Sequence, residues 1–410
     1  MDVVVLGGGG LTGRAAVRDL AETGRFDTVR VADLDLGLAR AAADAAGPRR
    51  ARAEALDVRD PARLRAVLRG AAVCVNAVQY THHLPVMEGC LAEGVPYLDF
   101  GGLFHTTRRQ LEWDGRFRAA GLLAIPGMGQ VPGASNILVR AATDDLERVE
   151  RVVLRDGWID LTPDAPEVYF PWSPATFLDE MEQPAMVLEE GELRSVPPLS
   201  GPESYEFAAP VGRVEIYRTL HSETATLPDL LRAKGLRHCE WKEGGPGLGL
   251  LRGLARIGLG STEPIELAGQ RVVPRELLLE LLRRRQLLGA PPGAAIDDWE
   301  VLDVEIVGER AGRRVARHAL ARFPPKPAWH LTATEYAVGA CGSVAATLVA
   351  EGAVPGAGVL PPERCVPPDR FRAALALRGI ATAIAPDEGT LPPFPPDRGE
   401  RGVPASGAKK

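Results

Sequence analysis

The stretch Val3-Val4-Val5-Leu6-Gly7-Gly8-Gly9-Gly10-Leu11-Thr12-Gly13-Arg14 decides the fold. An apolar run, four glycines and the start of a helical pattern put a tight turn between a first strand and a first helix. Gly8, Gly10 and Gly13 satisfy G-x-G-x-x-G, and Gly7, Gly10 and Gly13 satisfy G-x-x-G-x-x-G. Residues without side chains let the backbone N–H groups of Leu11, Thr12 and their neighbours approach a pyrophosphate at a helix N-terminus. A glycine motif alone is weak evidence. Here it stands where a strand–turn–helix unit requires it, with an acid, Asp33, closing the next strand pattern.

Outward from that turn, strand patterns fall at 2–7, 28–33, 50–57, 72–76, 95–100 and 122–126. Helical periods separate them: Leu11–Glu22, Leu36–Ala46, Pro61–Leu68, Leu84–Glu93 and Thr107–Ala120, most ending at a glycine. Apolar strands alternating with helices of this length predict an α/β fold, a doubly wound parallel sheet of the dinucleotide-binding (Rossmann) type over residues 1–130. After Gly133 and the helix Ala134–Thr143 the rhythm changes. Strand patterns at 147–156, 212–222, 235–242, 299–308 and 313–323, with a helix Pro274–Leu288, predict a second, α+β domain over 131–331 with a mixed, largely antiparallel sheet. An Ala-rich helix over Thr332–Gly352 and a shorter one over Arg370–Leu377 follow. Residues 386–410 have the composition of a disordered tail.

The 410 residues are enough for two or three domains, and 45% hydrophobic with 25% charged residues is ordinary globular composition. A net charge of −6 gives no cationic field for nucleic acid or an anionic membrane. No leader pattern precedes Val3, and the apolar runs are broken short of a membrane span. The five cysteines are scattered without a C-x-x-C pair. A reduced, cytoplasmic protein with no disulfide framework and no metal site is expected. His82-His83 does not alter that, since adjacent side chains point different ways.

Asp33 bonds an adenosine ribose and repels a 2′-phosphate, which favours NAD over NADP; Arg14 near the turn is the signal for NADP. Asp57 either meets the adenine edge or caps the next helix. Asn76, closing the fourth strand pattern, either bonds the nicotinamide-side ribose or forms a turn.

Several stretches resemble the saccharopine dehydrogenase family, which includes lysine 6-dehydrogenase. They are the Gly7–Gly13 turn, Asn76–Tyr80, Cys90–His105, Gly127–Asn136 with its Pro132-Gly133 turn, Thr219–Pro228, and the final helix with Gly342 and Glu351-Gly352. The chain departs from the family pattern at Gln130, where an acid or small residue is usual, and the glycine turn is one residue longer than the commonest form. The resemblance implies an NAD(P)-dependent oxidoreductase acting on a C–N bond of lysine or a lysine-derived secondary amine, by hydride transfer through an imine. A dehydrogenase of another diamine- or opine-like amine, or a non-catalytic NAD-binding sensor, is the alternative. It also implies a homodimer, cofactor contacts at Ala77 and Pro132, and a Rossmann domain completed by residues 332–385.

Amine oxidation needs a proton acceptor and a fixed substrate. Asp99, at the end of the fifth strand, is a base or a structural carboxylate capping the Gly101-Gly102 turn. His105 lies six residues on. His221 and Glu223 alternate on an expected strand and so share a face, where a histidine beside a carboxylate titrates near neutrality. Tyr217 shares that face. Arg237 or Lys242, on the next strand, would clamp a substrate carboxylate.

Overall fold

The structure, a computed structural model, describes residues 1–385 apart from 48, 167–169, 171 and 291; the expected tail at 386–410 lies outside the described residues. The first unit alternates: β1 (Asp2–Leu6), α1 (Leu11–Thr23), β2 (Thr28–Asp33), α2 (Leu36–Ala46), β3 (Ala51–Ala55), α3 (Pro61–Leu68) and β4 (Ala71–Asn76). It continues through α4 (His83–Glu93), β5 (Tyr97–Asp99), α5 (Leu103–Leu111), α6 (Asp114–Ala119) and β6 (Leu123–Ile125). Local chemistry sets these boundaries. Gly24 and Gly94 end α1 and α4 in the left-handed conformation, and the Asp35 and Asp60 carboxylates accept N–H groups at the starts of α2 and α3.

After α7 (Ala134–Thr143) come β7 (Arg148–Asp160), α8 (Pro174–Glu182), β8 (Ala185–Glu189), β9 (Glu192–Val196), β10 (Ser200–Glu206), β11 (Arg213–Arg218) and α9 (Glu223–Leu231). Then follow β12 (His238–Gly244), α10 (Leu248–Arg256), β13 (Ile265–Leu267), β14 (Gln270–Val272), α11 (Pro274–Arg284), β15 (Asp298–Arg310) and β16 (Arg313–Phe323). The last described elements are α12 (Ala333–Ala350), β17 (Gly358–Val359), α13 (Pro362–Cys365), α14 (Pro368–Ala376) and β18 (Ala381–Ile384).

The first sheet is parallel, in the order β17-β6-β5-β4-β1-β2-β3, so the winding reverses between β1 and β4 and opens a crevice at the strands' carboxyl ends. The second, nine-stranded sheet runs β10-β11-β12-β7-β15-β16-β18, with β8 also paired to β12 and β9 to β8. It is mixed: β12 is parallel to β7, whereas β15 is antiparallel to both β7 and β16. The C-terminal segment serves both sheets, since β17 extends the first and β18 the second.

α12 is long and apolar enough to cross a membrane, which the sequence reading did not expect, but 72% of it is buried inside the protein. Small residues explain the packing. A Cβ on Gly339 would lie 2.5 Å from the Cβ of Ala15, so only glycine lets α12 press this closely on α1.

Two expected elements are corrected. The single helix over Thr107–Ala120 is two helices, α5 and α6, because Asp114 restarts the helix while its carboxylate accepts the Val359 N–H of β17. The strand expected at 212–222 stops at Arg218; the chain turns at Thr219–Ser222 and enters α9, so His221 lies in a turn and Glu223 opens a helix. Pro228 inside α9 had disguised that helix.

Candidate active site

The glycine turn is built on the Gly7-x-x-Gly10-x-x-Gly13 register. Gly7 has φ +70°, and a Cβ there would lie 2.8 Å from the Ala77 carbonyl oxygen; a Cβ on Gly13 would lie 2.1 Å from the Gly7 oxygen. Gly10 is the N-cap of α1 and brings no side chain to the helix end, so the first-turn N–H groups face the crevice. Asp33 Oδ2 accepts the Gly9 N–H at 3.0 Å and Oδ1 the Asp35 N–H at 3.0 Å. Arg14 is committed elsewhere, donating at 2.8 Å to the buried Glu335. The cradle therefore fits a dinucleotide, with adenosine towards β2 and the nicotinamide half towards β4–β6.

A cavity of about 600 Å³ lies between that crevice and the second sheet, bounded on the dinucleotide side by Thr12, Asn76, Ala77, Gln130 and Pro132. The opposite wall is acidic. On β7, β12 and β15 the core-facing register runs from apolar residues (Val152 and Leu154; Cys239 and Trp241; Val304 and Leu302) to Asp156, Glu243 and Glu300. Asp160 and Asp298, paired across β7 and β15, continue the row, and Glu180 of α8 and Asp164 complete it. These seven carboxylates are accompanied by no lysine or arginine among the described lining residues.

Burial, with Glu300 beside it, pushes the Asp156 carboxyl far above the usual carboxylate range. Burial, Glu243 and Glu223 do the same to Glu180, and burial raises Asp298 to about 8. One oxygen each of Asp156, Asp160 and Glu180 is buried without a hydrogen-bond partner.

His221 sits in this wall. Its ring stacks on Trp241, with centroids 4.2 Å apart and planes 12° apart. Nδ1 is hydrogen-bonded to Glu223, whose other oxygen accepts from Ser135 at 2.8 Å, while Nε2 lies 3.8 Å from a Glu180 oxygen. Burial alone would lower the His221 pKa, but Glu223 beside it, with Glu243 and Glu300, holds it above the ordinary value. Trp241 is fixed in turn by donating to Thr219, which donates to Glu243 at 2.6 Å.

Residues 3–125 match the saccharopine dehydrogenase NADP binding domain, and residues 129–380 match the saccharopine dehydrogenase C-terminal domain. The chain belongs to the saccharopine dehydrogenase family. Members of this family are NAD(P)-dependent oxidoreductases acting on CH–NH groups. Carboxyaminopropylagmatine dehydrogenase of Synechocystis is 24% identical over 228 residues, 52% of this chain and 54% of that protein, so the match spans about half of each. Two solved structures share the fold. Saccharopine dehydrogenase (L-Glu forming) of Saccharomyces cerevisiae has TM-score 0.70 at 18% identity, covering 94% of this chain and 99% of that one. Homospermidine synthase of Legionella pneumophila, in complex with NAD, has TM-score 0.64 at 14% identity, covering 97% and 95%.

Within this saccharopine dehydrogenase-family site, Asn76, Ala77, Pro132 and His221 line the cavity, and Glu223 backs His221. Asn76 is tied to Tyr97 at 3.1 Å. Other expected site residues lie elsewhere. Asp57 follows β3 at the adenosine end, away from this cavity, where Arg59 binds it at the surface and lowers its pKa to about 2, and Asp60 rather than Asp57 caps α3. His105 is exposed on α5. Asp99 is enclosed by donors: Tyr97 Oη at 2.7 Å, Gln110 Nε2 at 2.6 Å, and the N–H groups of Gly101 and Gly127 at 2.8 and 2.9 Å. Tyr217 bonds Glu215 and packs among Phe170, Phe177 and Leu251. Arg237 pairs with Glu190 at the surface, and Lys242 reaches Glu203 at 2.7 Å on the far face of β12 from Glu243. Neither cation reaches the cavity, so the expected carboxylate clamp is not there.

Sequence reasoning passed over Asp156, Glu180, Glu243, Asp298 and Glu300, and marked Gln130 only as a departure from the family pattern. Most carried a readable signal, an acid in the core-facing register of a strand.

Proposed function

We propose that the protein makes or breaks a C–N bond of an amine bearing at least two cationic nitrogens, with NAD as the hydride carrier. The observation that carries this reading is the wall of seven carboxylates with no lysine or arginine among the described lining residues. Burial favours the protonated form of several of these acids, and a bound ammonium draws them towards ionisation. At ~4 Å, in an effective dielectric near 20, one unit charge then favours or opposes an ionised carboxylate by about 4 kcal/mol. A substrate carboxylate, as in lysine or saccharopine, would meet that repulsion with no clamp to offset it. An ammonium gains it. The acids from Asp156 to Asp160 span four strand residues, roughly 13 Å at ~3.3 Å per residue, a length suited to an extended di- or triamine. The relative named for homospermidine points the same way; the one named for carboxyaminopropylagmatine supports the cationic part of the reading only, since that amine joins a guanidinium to a group that also bears a carboxyl.

Bound NAD supplies a nicotinamide carbon that accepts or returns hydride. The chain's residues do the rest. His221 Nε2, open on the side away from Glu223, takes the proton an ammonium must lose before its carbon can give up hydride. Glu223 fixes the ring orientation and favours the imidazolium that forms, and the Trp241 stack holds its plane. Glu180, Asp156 and Glu300 hold the substrate's other nitrogens. The choice of NAD over NADP rests on Asp33 beside the ribose position and on Arg14 being tied to Glu335.

The test is steady-state reduction of both cofactors with diamines, triamines, an aminopropyl-agmatine-type secondary amine, lysine and saccharopine. The expected result is kcat/KM at least ~100-fold higher for a polycationic amine, about 2.7 kcal/mol, with NAD preferred. If lysine or saccharopine is the best substrate, the reading is wrong.

A further inference from the structure

Gln130 is wholly buried, lines the cavity, and has neither its amide nitrogen nor its amide oxygen hydrogen-bonded within the protein. It follows β6 in the Gly127–Gly133 turn at the carboxyl ends of the parallel strands. Its backbone is pinned, since its carbonyl accepts the Ser135 N–H at 3.2 Å and the preceding carbonyl of Gly129 accepts that of Ala134 at 3.1 Å. The side chain is thus held against the cavity with one strong donor and one strong acceptor unused. Leaving a single buried group unpaired costs about 1–3 kcal/mol, so an orphan pair marks a place where something binds.

The missing partner must offer an acceptor and a donor side by side. A cationic amine has only donors; it would satisfy Oε1 and leave Nε2 bare. A carboxylate has only acceptors. A primary carboxamide has both, spaced to form two reciprocal hydrogen bonds with another amide. The dinucleotide brings one such group. Because adenosine lies towards β2, where Asp33 sits, the nicotinamide half lies towards β4, β5 and β6, the side of the crevice that carries Gln130.

We propose that Gln130 pairs with the nicotinamide carboxamide and so positions the ring that exchanges hydride. This rests on the dinucleotide assignment and is independent of which amine is the substrate. It also gives a physical meaning to the residue at which this chain departs from the family pattern, because an acid or a small side chain could not make both bonds.

The test measures binding without amine. Dissociation constants are taken for NADH, for ADP-ribose, which lacks the nicotinamide, and for the 3-acetylpyridine analogue, which keeps the carbonyl but replaces the NH₂ by methyl. Wild-type protein should bind reduced cofactor ~10-fold more tightly than the reduced analogue. Gln130→Met should weaken NADH ~10- to 100-fold, abolish the preference over the analogue, and leave ADP-ribose within about twofold. An equal loss for NADH and ADP-ribose would make the residue merely structural. Unchanged NADH affinity with a raised amine KM would give it to the substrate instead. Either result overturns the proposal. If Gln130→Met does not fold, the wild-type comparison still decides, since indifference to the lost NH₂ refutes the pairing.

Discussion

Asp99 and Asp156 are both buried carboxylates near the carboxyl-end crevice, 0% and 2% exposed, and their surroundings are opposite. Asp99 closes β5 with two side-chain donors and two backbone N–H groups directed at it. Asp156, in β7, faces Glu300 and Glu243 and keeps one oxygen without a partner. Burial does not distinguish a structural acid from a functional one; the inventory of donors does. Four donors around Asp99 make it part of the scaffold that carries Gly101 and Gly127. Acids around Asp156 leave it short of donors, a deficit that a bound cation would fill in the proposed reaction.

The functional side of this contrast is broken most severely at His221. His221→Asn keeps a similar size and can still bond Glu223, but it cannot carry the proton. Turnover should fall roughly 10²–10⁴-fold, the range for a general acid–base group, with NADH affinity unchanged. In wild type, the rate of amine oxidation should rise with pH through an inflection above 6.5, since Glu223 raises the His221 pKa and the free base is the active form. A variant with wild-type turnover and the same pH profile would remove His221 from the mechanism.

The scaffold side is broken at Asp99. Asp99→Asn puts an NH₂ among groups that donate to the native carboxylate, and leaving such buried partners unpaired costs about 1–3 kcal/mol. Asp156→Asn removes an acid from among acids. It should leave stability unchanged or raise it, while weakening the polycationic substrate about tenfold. Denaturant unfolding of the two variants side by side separates them. Equal destabilisation would mean that Asp156 too is structural.

The contrast also marks what could be read in advance. The first six strands of the parallel sheet were legible to within about two residues, though β17 was not, because most of those elements carry their own punctuation: the glycine turn, Asp35 and Asp60 at helix starts, Gly24 and Gly94 at helix ends. The segment 161–210 was not. α8 is held by distant partners such as Arg275, which bonds Asp179 at 2.7 Å and Glu182 at 3.2 Å, and Tyr80, which bonds Asp179 at 2.8 Å, and the β8–β9 hairpin is held by pairing of β8 with β12. His221 and Glu223 stood out as a pair, yet the geometry that joins them is a turn into a helix and not strand alternation. The acid wall was visible only to a reader who noticed carboxylates in the register that otherwise faces the core. For Asp99, both a base and a structural cap were open from the sequence, because its donors come from positions 97, 101, 110 and 127.

The smallest effect sharpens the contrast through pH. Asp298 lies at the start of β15, where both carboxylate oxygens accept the Ala333 N–H at the N-terminus of α12, and burial nonetheless raises its pKa from 3.8 to about 8. Between those two values the folded protein holds a proton that the unfolded chain has released, so folding stability must fall as pH rises from about 4 to 8. Asp298→Asn removes that proton while keeping an oxygen for Ala333. Wild type should therefore lose stability relative to the variant over this pH range, read as a falling Tm; the rise from 3.8 to about 8 sets an upper limit of about 6 kcal/mol, and relaxation of the surrounding acids leaves an effect on the order of 1 kcal/mol. A bound di- or triamine should reduce the pH dependence of the wild-type Tm, because a cation favours the ionised carboxyl, and should do so far less in the variant. If the two proteins keep the same separation from pH 4 to 8, with and without amine, Asp298 is ionised throughout. It would then be a helix cap like Asp35 and Asp60, and would move from the functional side of the comparison to the structural one.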